Sequence, residues 1–239
     1  MPRFYVDTAL RAGSSITLPE DSAHHAVHVL RARTGDELTL FNGRGGEYAG
    51  RIAAIERRRM LVDVLEHRAV ERESPLRMVL VQGVSSGERM DLTVRKAVEL
   101  GVAEIHPVLG ASSVARPKGE RAAARHAHWQ KIAIAACEQC GRNRIPPVRA
   151  LMPAADYRPD GAGTRVLLAP TAELRFAAAC KAGDEFTIAA GPEAGFSAEE
   201  ETAFVDAGFV PARLGARVLR TETAGIAALA ALNALLGDF

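Results

Sequence analysis

The first part of the chain alternates apolar and polar residues in short runs, the pattern of β-strands that bury one face. Turn residues separate these runs, most clearly in the glycine-rich segment 42–46, and one helical stretch lies among them at residues 23–33. The pattern predicts strands at residues 3–6, 15–18, 36–41, 47–55 and 60–65. Several short strands around one helix are typical of a small, mostly antiparallel barrel.

From residue 77 the pattern changes to near-continuous apolar strands that alternate with helices. A charged segment, residues 66–75, precedes the change and ends in a proline, so we place a domain boundary there. Strands are predicted at residues 77–84, 104–109, 165–169 and 186–190, and helices at residues 91–100, 120–140 and 223–236 and in the acidic segment after Ser197. Such alternation predicts a mainly parallel sheet covered by helices.

Three loops of small residues follow predicted strands or open helices, at residues 169–173, 191–197 and 214–223. In open α/β sheets ligands bind beyond the carboxyl ends of the strands. A glycine loop with a bare main chain can approach a flat ligand closely and offer it N–H and C=O groups. These loops are therefore predicted to form a ligand pocket. The last helix is apolar on nearly every side, which predicts burial in a core or an interface.

Composition describes an ordinary globular protein. The chain has 239 residues, 48% of them hydrophobic and 25% charged, enough for one large domain or two modest ones. No apolar run approaches the roughly 20 residues of a membrane helix. Strand-like sequence begins directly after Met1, so we expect no signal peptide, and three cysteines favour a reducing cytoplasm over a disulfide framework.

The net charge of +1 hides an uneven distribution. Residues 111–150 carry eight Lys and Arg against two acidic residues, whereas residues 151–239 carry seven against twelve. This segregation indicates either a basic face for a polyanion or two solvated helix faces of opposite sign.

Several short motifs are poor candidates for cofactor or metal chemistry. The glycine-rich segment 43–50 has strands on both sides, whereas a dinucleotide fingerprint needs a helix after it. Cys137 and Cys140 form a lone CxxC at the carboxyl end of a helix, without the second ligand pair of a zinc site. His24 and His28 are four residues apart but lack a third ligand. We therefore expect no metal site.

Two longer motifs carry a family resemblance. Gly191-Pro-Glu-Ala-Gly-Phe-Ser197 and Leu214-Gly-Ala-Arg-Val-Leu-Arg-Thr-Glu-Thr-Ala224 resemble the signature motifs of the ribosomal RNA small subunit methyltransferase E family. Further segments that match this family lie at residues 24–31, 100–107 and 129–147. This family belongs to the SPOUT superfamily and makes N3-methyluridine in 16S rRNA with S-adenosylmethionine. Two departures are visible: Ala194 stands at a usual glycine, and Ala111-Ser112 at a common Glu-Arg pair.

The resemblance implies a fold and a cofactor site. It implies a PUA-like RNA-binding β-barrel domain at residues 1–72, followed at residues 73–239 by a mainly parallel α/β domain with helices on both faces and a trefoil knot near its carboxyl end. It also implies a homodimer formed through helices beside the knot. Backbone groups of three knot loops would bind S-adenosylmethionine, and the residues so implied are Leu168, Ala169, Pro170, Gly191, Pro192, Glu193, Gly195, Leu214, Gly215, Val218, Leu219 and Thr223.

The acceptor implied by the resemblance is N3 of a uridine, whose proton must leave or whose anion must be stabilised. The candidates for these catalytic roles are Glu193, Arg220, Glu222 and Arg142, and Arg220 is predicted to stabilise the anion. Arg142 would come either from the same chain or from a partner subunit. Candidate contacts to 16S rRNA or the small ribosomal subunit are Arg3, His25, Arg31, Arg116, Lys118, Arg142 and Arg144, with Arg57, Arg58 and Arg59 in a turn as further candidates.

Two alternative functions stay open at this point. One is a non-catalytic RNA-binding protein whose pocket has decayed through changes such as Ala194. The other is a SPOUT enzyme that acts on tRNA or on a ribose 2′-hydroxyl.

Overall fold

The computed structural model describes residues 1–56, 59–113 and 116–239, which divide into two compact units. The first unit comprises Met1–Glu73 together with Cys137–Ile145, and the second comprises Ser74–Ala136 and Pro146–Phe239. The sequence placed residues 137–145 in the second domain. They cluster with the first unit because Arg3 and Arg72 both donate to the carbonyl of Gly141, and Asn143 donates to Val70 O.

The first unit is built on a five-stranded sheet. Its elements are β1 (Arg3–Tyr5), β2 (Ser15–Thr17), α1 (Glu20–His28), β3 (Glu37–Phe41), β4 (Glu47–Glu56) and β5 (Arg59–Arg68). The strand order is β1-β3-β4-β5-β2, and only the β1–β3 pair among these strands is parallel. Alternating side chains of the strands pack against α1, as in the cluster of Leu38, Ile52 and Val62 with Ala26.

Helix α1 differs from the prediction of residues 23–33. It begins at Glu20 and ends at His28, because Arg31 adopts a left-handed backbone with a φ of 56° that interrupts a helix. Val29 and Leu30 continue the apolar pattern of the helix, but their side chains are exposed.

The second unit contains a six-stranded sheet with helices around it. Its elements are β6 (Arg77–Gly83), α2 (Glu88–Glu99), β7 (Glu104–Leu109), α3 (Glu120–Cys140), β8 (Met152–Pro153), β9 (Thr164–Leu168), α4 (Phe176–Ala179), β10 (Glu185–Ala190), α5 (Ala198–Asp206), β11 (Val210–Ala212) and α6 (Thr221–Leu236). The strand order is β11-β9-β10-β6-β7-β8, and each neighbouring pair is parallel. The last residues of α3 belong to the first unit.

The central strands β6 and β10 are almost completely buried, as their near-continuous apolar sequence predicts. Because all strands point the same way, the loops after β6, β9, β10 and β11 emerge at one edge of the sheet. Helix α6 begins at this edge: Thr221 Oγ1 donates to Gly191 O at 2.6 Å, and Gln82 Nε2 donates to Thr221 Oγ1 at 3.1 Å.

Helix α6 buries one face against α2, β6 and β10. Ala228, Leu229 and Leu232 are fully buried on that face. Ile226, Ala227, Ala230 and Ala231 are only partly buried, and Leu235 is exposed. In the described part of the chain, no helix combines the length and the apolar character needed to cross a membrane.

Candidate active site

A cavity of about 310 Å³ lies at the strand edge where the loops of the second unit meet. This volume lies at the lower end of the range for small-molecule sites, about 300–1,000 Å³. The cavity is lined by Arg89, Leu168, Pro170, Gly191, Pro192, Glu193, Gly195, Phe196, Glu201, Val218, Leu219, Arg220, Thr221, Glu222 and Ala224. The three loops of small residues that the sequence singled out therefore converge here.

A smaller adjoining cavity extends this site between the loops after β9 and β11. It shares Leu168, Pro170 and Leu219 with the larger cavity and adds Ala169, Leu214 and Gly215. Of the residues predicted to bind the cofactor, all but Thr223 therefore line one of the two cavities. Thr223 lies exposed in the first turn of α6, where its N–H donates to Arg220 O.

The loop after β10 lies directly against the end of β6. A Cβ atom on Gly83 would come within 2.3 Å of Pro192 N, so only glycine permits this approach. Gly195 has a φ of 76°, in the left-handed region, whereas Ala194 is not among the residues with a positive φ. The alanine at the usual glycine position is therefore compatible with the loop.

Glu193 fastens the same loop to the beginning of α2. Its Oε1 accepts hydrogen bonds from Ser86 N at 2.9 Å, from Ser86 Oγ at 3.2 Å and from Arg89 Nη1 at 3.2 Å. Burial raises the pKa of this carboxyl, but the bonds from Ser86 and Arg89 outweigh burial and hold the pKa below its ordinary value. Glu193 is therefore ionised and well satisfied.

Glu222 has the opposite environment. Its Oε2 is buried and has no hydrogen-bond partner among the described residues, although the side chain lines the cavity. Arg220, the N-cap residue of α6, is exposed at the same cavity. At the start of α6 the cavity thus presents an acceptor without a partner among the described residues and, two positions earlier, an exposed cation.

Glu200 ties a further loop to the site. The residue is only 5% exposed, and its carboxylate completes a capping box by accepting from Ser197 N at 2.8 Å. The other oxygen accepts from Ala111 N at 2.6 Å, and Ser112 Oγ donates to Gly195 O at 3.2 Å. The loop after β7 is thereby bonded to the loop after β10.

Arg142 does not line the cavity. It belongs to the first unit, is 4% exposed, and pairs with Glu73, with 3.1 Å between Nε and Oε2. Its predicted catalytic role stays a prediction that this contact does not support. The predicted cofactor and catalytic residues omit five that line the cavity: Arg89, Phe196, Glu201, Thr221 and Ala224. Phe196 and Thr221 lie in loops that were predicted to form the pocket. Arg89 also had a signal, since it follows another strand that ends in small residues, Gly83 to Gly87.

The predicted RNA contacts fall into different environments. In the first unit, Arg3 is largely buried in an ion pair with Glu47 at 2.6 Å, and Arg144 lies 3.7 Å from Glu71. His25 and Arg31 are exposed. In the second unit, Arg116 and Lys118 line an open groove. Arg57 and Arg58 lie outside the described residues.

Neither the cysteines nor the histidines form a metal site among the described residues. No group of three or more His, Cys, Asp and Glu side chains there could hold a metal ion. Burial raises the pKa of the Cys137 thiol to about 12, so the reactive thiolate is not populated at neutral pH.

Comparisons with known proteins place this architecture among RNA methyltransferases. The family model described as "RNA methyltransferase domain" matches residues 72–233, and the one described as "RNA methyltransferase PUA domain" matches residues 18–65. A protein of Buchnera aphidicola named ribosomal RNA small subunit methyltransferase E is 31% identical, over all of this chain and 95% of its own length. The protein of that name from Mycobacterium tuberculosis is 33% identical, over 97% of this chain and 91% of its own length.

Two solved structures resemble the whole chain. Ribosomal RNA small subunit methyltransferase E from Neisseria gonorrhoeae, bound to S-adenosyl methionine, is 40% identical with a TM-score of 0.94, and the match covers 100% of this chain and 99% of that one. A putative methyltransferase from Legionella pneumophila, in complex with the same cofactor, is 36% identical with a TM-score of 0.93, covering 99% and 98%. The predicted fold class, a SPOUT-type parallel α/β sheet after a PUA-like domain, is confirmed.

Proposed function

Because the chain belongs to the ribosomal RNA small subunit methyltransferase E family, we propose that it transfers the methyl group of S-adenosylmethionine to 16S rRNA of the small ribosomal subunit. The observation that carries this proposal is the convergence of three main-chain loops on one cavity at the strand edge. Relatives of nearly identical fold were solved with this cofactor bound.

The residues of the cavity fit the cofactor. Gly191 and Gly195 leave the main chain bare for a flat ring, and Leu168 and Leu219 supply apolar surface. When bound, S-adenosylmethionine supplies an activated methyl group on a sulfonium, so the protein's main task is to align donor and acceptor.

We place the acceptor at N3 of a uridine, in line with the family. This atom lies on the Watson–Crick edge, so the base must be unpaired and splayed out of its stack to reach the cavity. Its imide anion needs a positive partner. Arg220 is an exposed cation at the cavity that forms no ion pair with the described residues, whereas Arg89 is paired with Glu193. We assign Arg220 the role of stabilising that anion electrostatically.

The two candidate carboxylates differ in their fitness as a base. Glu193 is held below its ordinary pKa by Ser86 and Arg89, so it binds a proton weakly and serves to position the loop. Glu222 keeps one oxygen without a partner and faces the cavity. The geometry therefore favours Glu222 over Glu193 as the group that takes the imide proton.

Arg220→Ala tests this proposal. Because the guanidinium acts on charge that develops during transfer, kcat should fall about a hundredfold or more while the affinity for S-adenosylmethionine, measured by calorimetry, stays within about twofold. Arg95→Ala is the matched control, since Arg95 is an exposed arginine on α2 that does not line the cavity. Unchanged turnover in Arg220→Ala would rule out the assigned role.

The non-catalytic alternative is not favoured, because the loop geometry accommodates Ala194 and the cavity is intact. Calorimetry with S-adenosylmethionine separates the two functions, since a decayed site would release no heat. Mass spectrometry of 16S rRNA nucleosides from a deletion strain separates base methylation from ribose or tRNA methylation. Our proposal requires that N3-methyluridine disappear from 16S rRNA and return on complementation.

We also propose a homodimer in the cytoplasm. The support for the dimer is the apolar face of α6 that the chain itself leaves partly uncovered, at Ile226, Ala227, Ala230, Ala231 and Leu235. An apolar helix face of this kind is typical of an interface. Sedimentation that shows a monomer at micromolar concentration would contradict this proposal.

A further inference from the structure

An open groove of about 830 Å³ lies in the second unit at the beginning of α3. Its lining contains four cationic side chains, Arg116, Lys118, Arg121 and Arg125, and a single acidic residue, Glu120. We propose that this groove binds the sugar-phosphate backbone of the rRNA strand that carries the target base. This inference rests on the proposed function and goes beyond it by naming the surface that holds the substrate.

The cations of the groove form no ion pair with the described residues. Among the described residues, Lys118, Arg121 and Arg125 have no carboxylate oxygen within the 4.0 Å of an ion pair, whereas Arg77, Arg89 and Arg149 in the same unit are each paired. Arg116 donates to the carbonyl of Ala111 and keeps its full positive charge. A run of unpaired cations along a groove is the electrostatic feature that attracts a polyanion.

The positions of these side chains suit a linear ligand. Arg121 and Arg125 are four residues apart and so lie one turn apart on the same face of α3. The first turn of α3 adds the positive end of a helix dipole to the same region. Phosphates of a single strand can therefore meet successive cations along the groove.

The groove is linked to the loop after β7, because Arg116 donates to the carbonyl of Ala111. Ala111 N donates to Glu200, and Ser112 Oγ donates to Gly195 O, both of which belong to the part of the chain that forms the cofactor loop and its helix. The groove thus follows, within a few residues, a loop that is bonded to the wall of the cavity. A strand held in the groove is led toward the place where the methyl group is transferred.

The test is an Arg121→Ala/Arg125→Ala double variant, in which alanine preserves helix propensity on a solvent-facing turn. The control is Arg95→Ala/Lys131→Ala, which removes the same charge from exposed positions outside the groove. A 16S rRNA transcript and poly(U) are the probes, and their affinity is measured as a function of salt concentration. Calorimetry measures the affinity for S-adenosylmethionine in parallel.

If the two arginines contact phosphates, the slope of log affinity against log salt becomes shallower by about 1.4, since each phosphate contact of a single strand contributes about 0.7. Affinity at low salt should fall at least about tenfold, with the cofactor affinity unchanged. An unchanged salt slope, or an equal loss in the control pair, would overturn the groove proposal. If the unsubstituted protein did not bind S-adenosylmethionine, that result would instead contradict the proposed function.

Discussion

Glu200→Gln is the sharpest probe of how the loops around the cavity are held together. In the unsubstituted protein one carboxylate oxygen accepts from Ser197 N at 2.8 Å and the other from Ala111 N at 2.6 Å. Glutamine keeps the shape of the side chain but has only one acceptor oxygen. If that oxygen keeps the helix cap at Ser197, the amide NH₂ group faces the N–H of Ala111, and two donors oppose each other.

The size of the effect follows from this loss. A hydrogen bond to a charged group contributes about 1.5–3 kcal/mol, and a donor left without a partner costs about 1–3 kcal/mol when buried. Ala111 itself is exposed, so water can replace part of the lost bond. We therefore expect a loss of about 1–2 kcal/mol in the free energy of local opening, which is a factor of about 5–30.

Amide hydrogen exchange measures this quantity at the affected atom. The protection of the Ala111 N–H should fall about 5–30-fold in Glu200→Gln, while amides in the buried strands β6 and β10 keep their protection. Glu199→Gln is the control, because Glu199 lies on the same helical turn but bonds only to Ser197 Oγ and is fully exposed. Unchanged protection of Ala111 would show that Glu200 does not hold this loop.

Three further predictions concern the close approach at Gly83, the two carboxylates of the cavity and the buried Glu138. Gly83→Ala should lower the affinity for S-adenosylmethionine about tenfold or more in calorimetry, because its Cβ would lie 2.3 Å from Pro192 N and force the loop to move; equal affinity would contradict the close approach. Glu222→Gln should lower kcat more than Glu193→Gln when both are assayed at saturating cofactor, and the reverse order would reassign the base. Burial raises the pKa of the Glu138 carboxyl above its ordinary value of 4.5. The protonated carboxyl therefore stabilises the folded state at low pH, and this stabilisation is lost as the pH rises through the raised pKa. Glu138→Gln should therefore gain stability relative to the unsubstituted protein near neutral pH and lose this advantage in acid, and a pH-independent difference in urea denaturation would contradict this.

Most of the secondary structure was predictable because apolar periodicity is a local signal. The long buried strands β6 and β10 and the helix α3 have many residues that repeat the same pattern. Strand β11 was not predicted, because Val210–Ala212 is short and contains a proline and therefore shows no hydrophobic period. The predicted end of α1 was wrong because Val29 and Leu30 continue the apolar pattern of the helix. The left-handed backbone of Arg31, which ends the helix, cannot be recognised from that pattern.

The cavity was predictable for a different reason. The carboxyl ends of parallel strands lie at one edge of the sheet. Two loops of small residues follow the buried strands β9 and β10, so the sequence predicts that these loops lie close together. The partner of an individual side chain follows no such rule. Arg142 stands in a segment that resembles the family, yet its contact is Glu73, which is 69 positions away in the sequence. Only the three-dimensional structure shows that this arginine already has a carboxylate partner.

The two carboxylates of the cavity, Glu193 and Glu222, also differ only through their contacts in three dimensions. In the sequence Glu193 and Glu222 are equivalent, since each stands in a loop of small residues at the end of a strand or the start of a helix. The structure makes them different. The residues that satisfy Glu193 come from the loop after β6 and the start of α2, more than a hundred positions earlier, whereas no comparable donor reaches Glu222 Oε2 in the described chain. A carboxylate with three donors holds a loop, and a carboxylate oxygen with none can accept a proton or a ligand. The different roles of Glu193 and Glu222 therefore depend on contacts with residues that are distant in sequence, and residue identity alone does not reveal these roles.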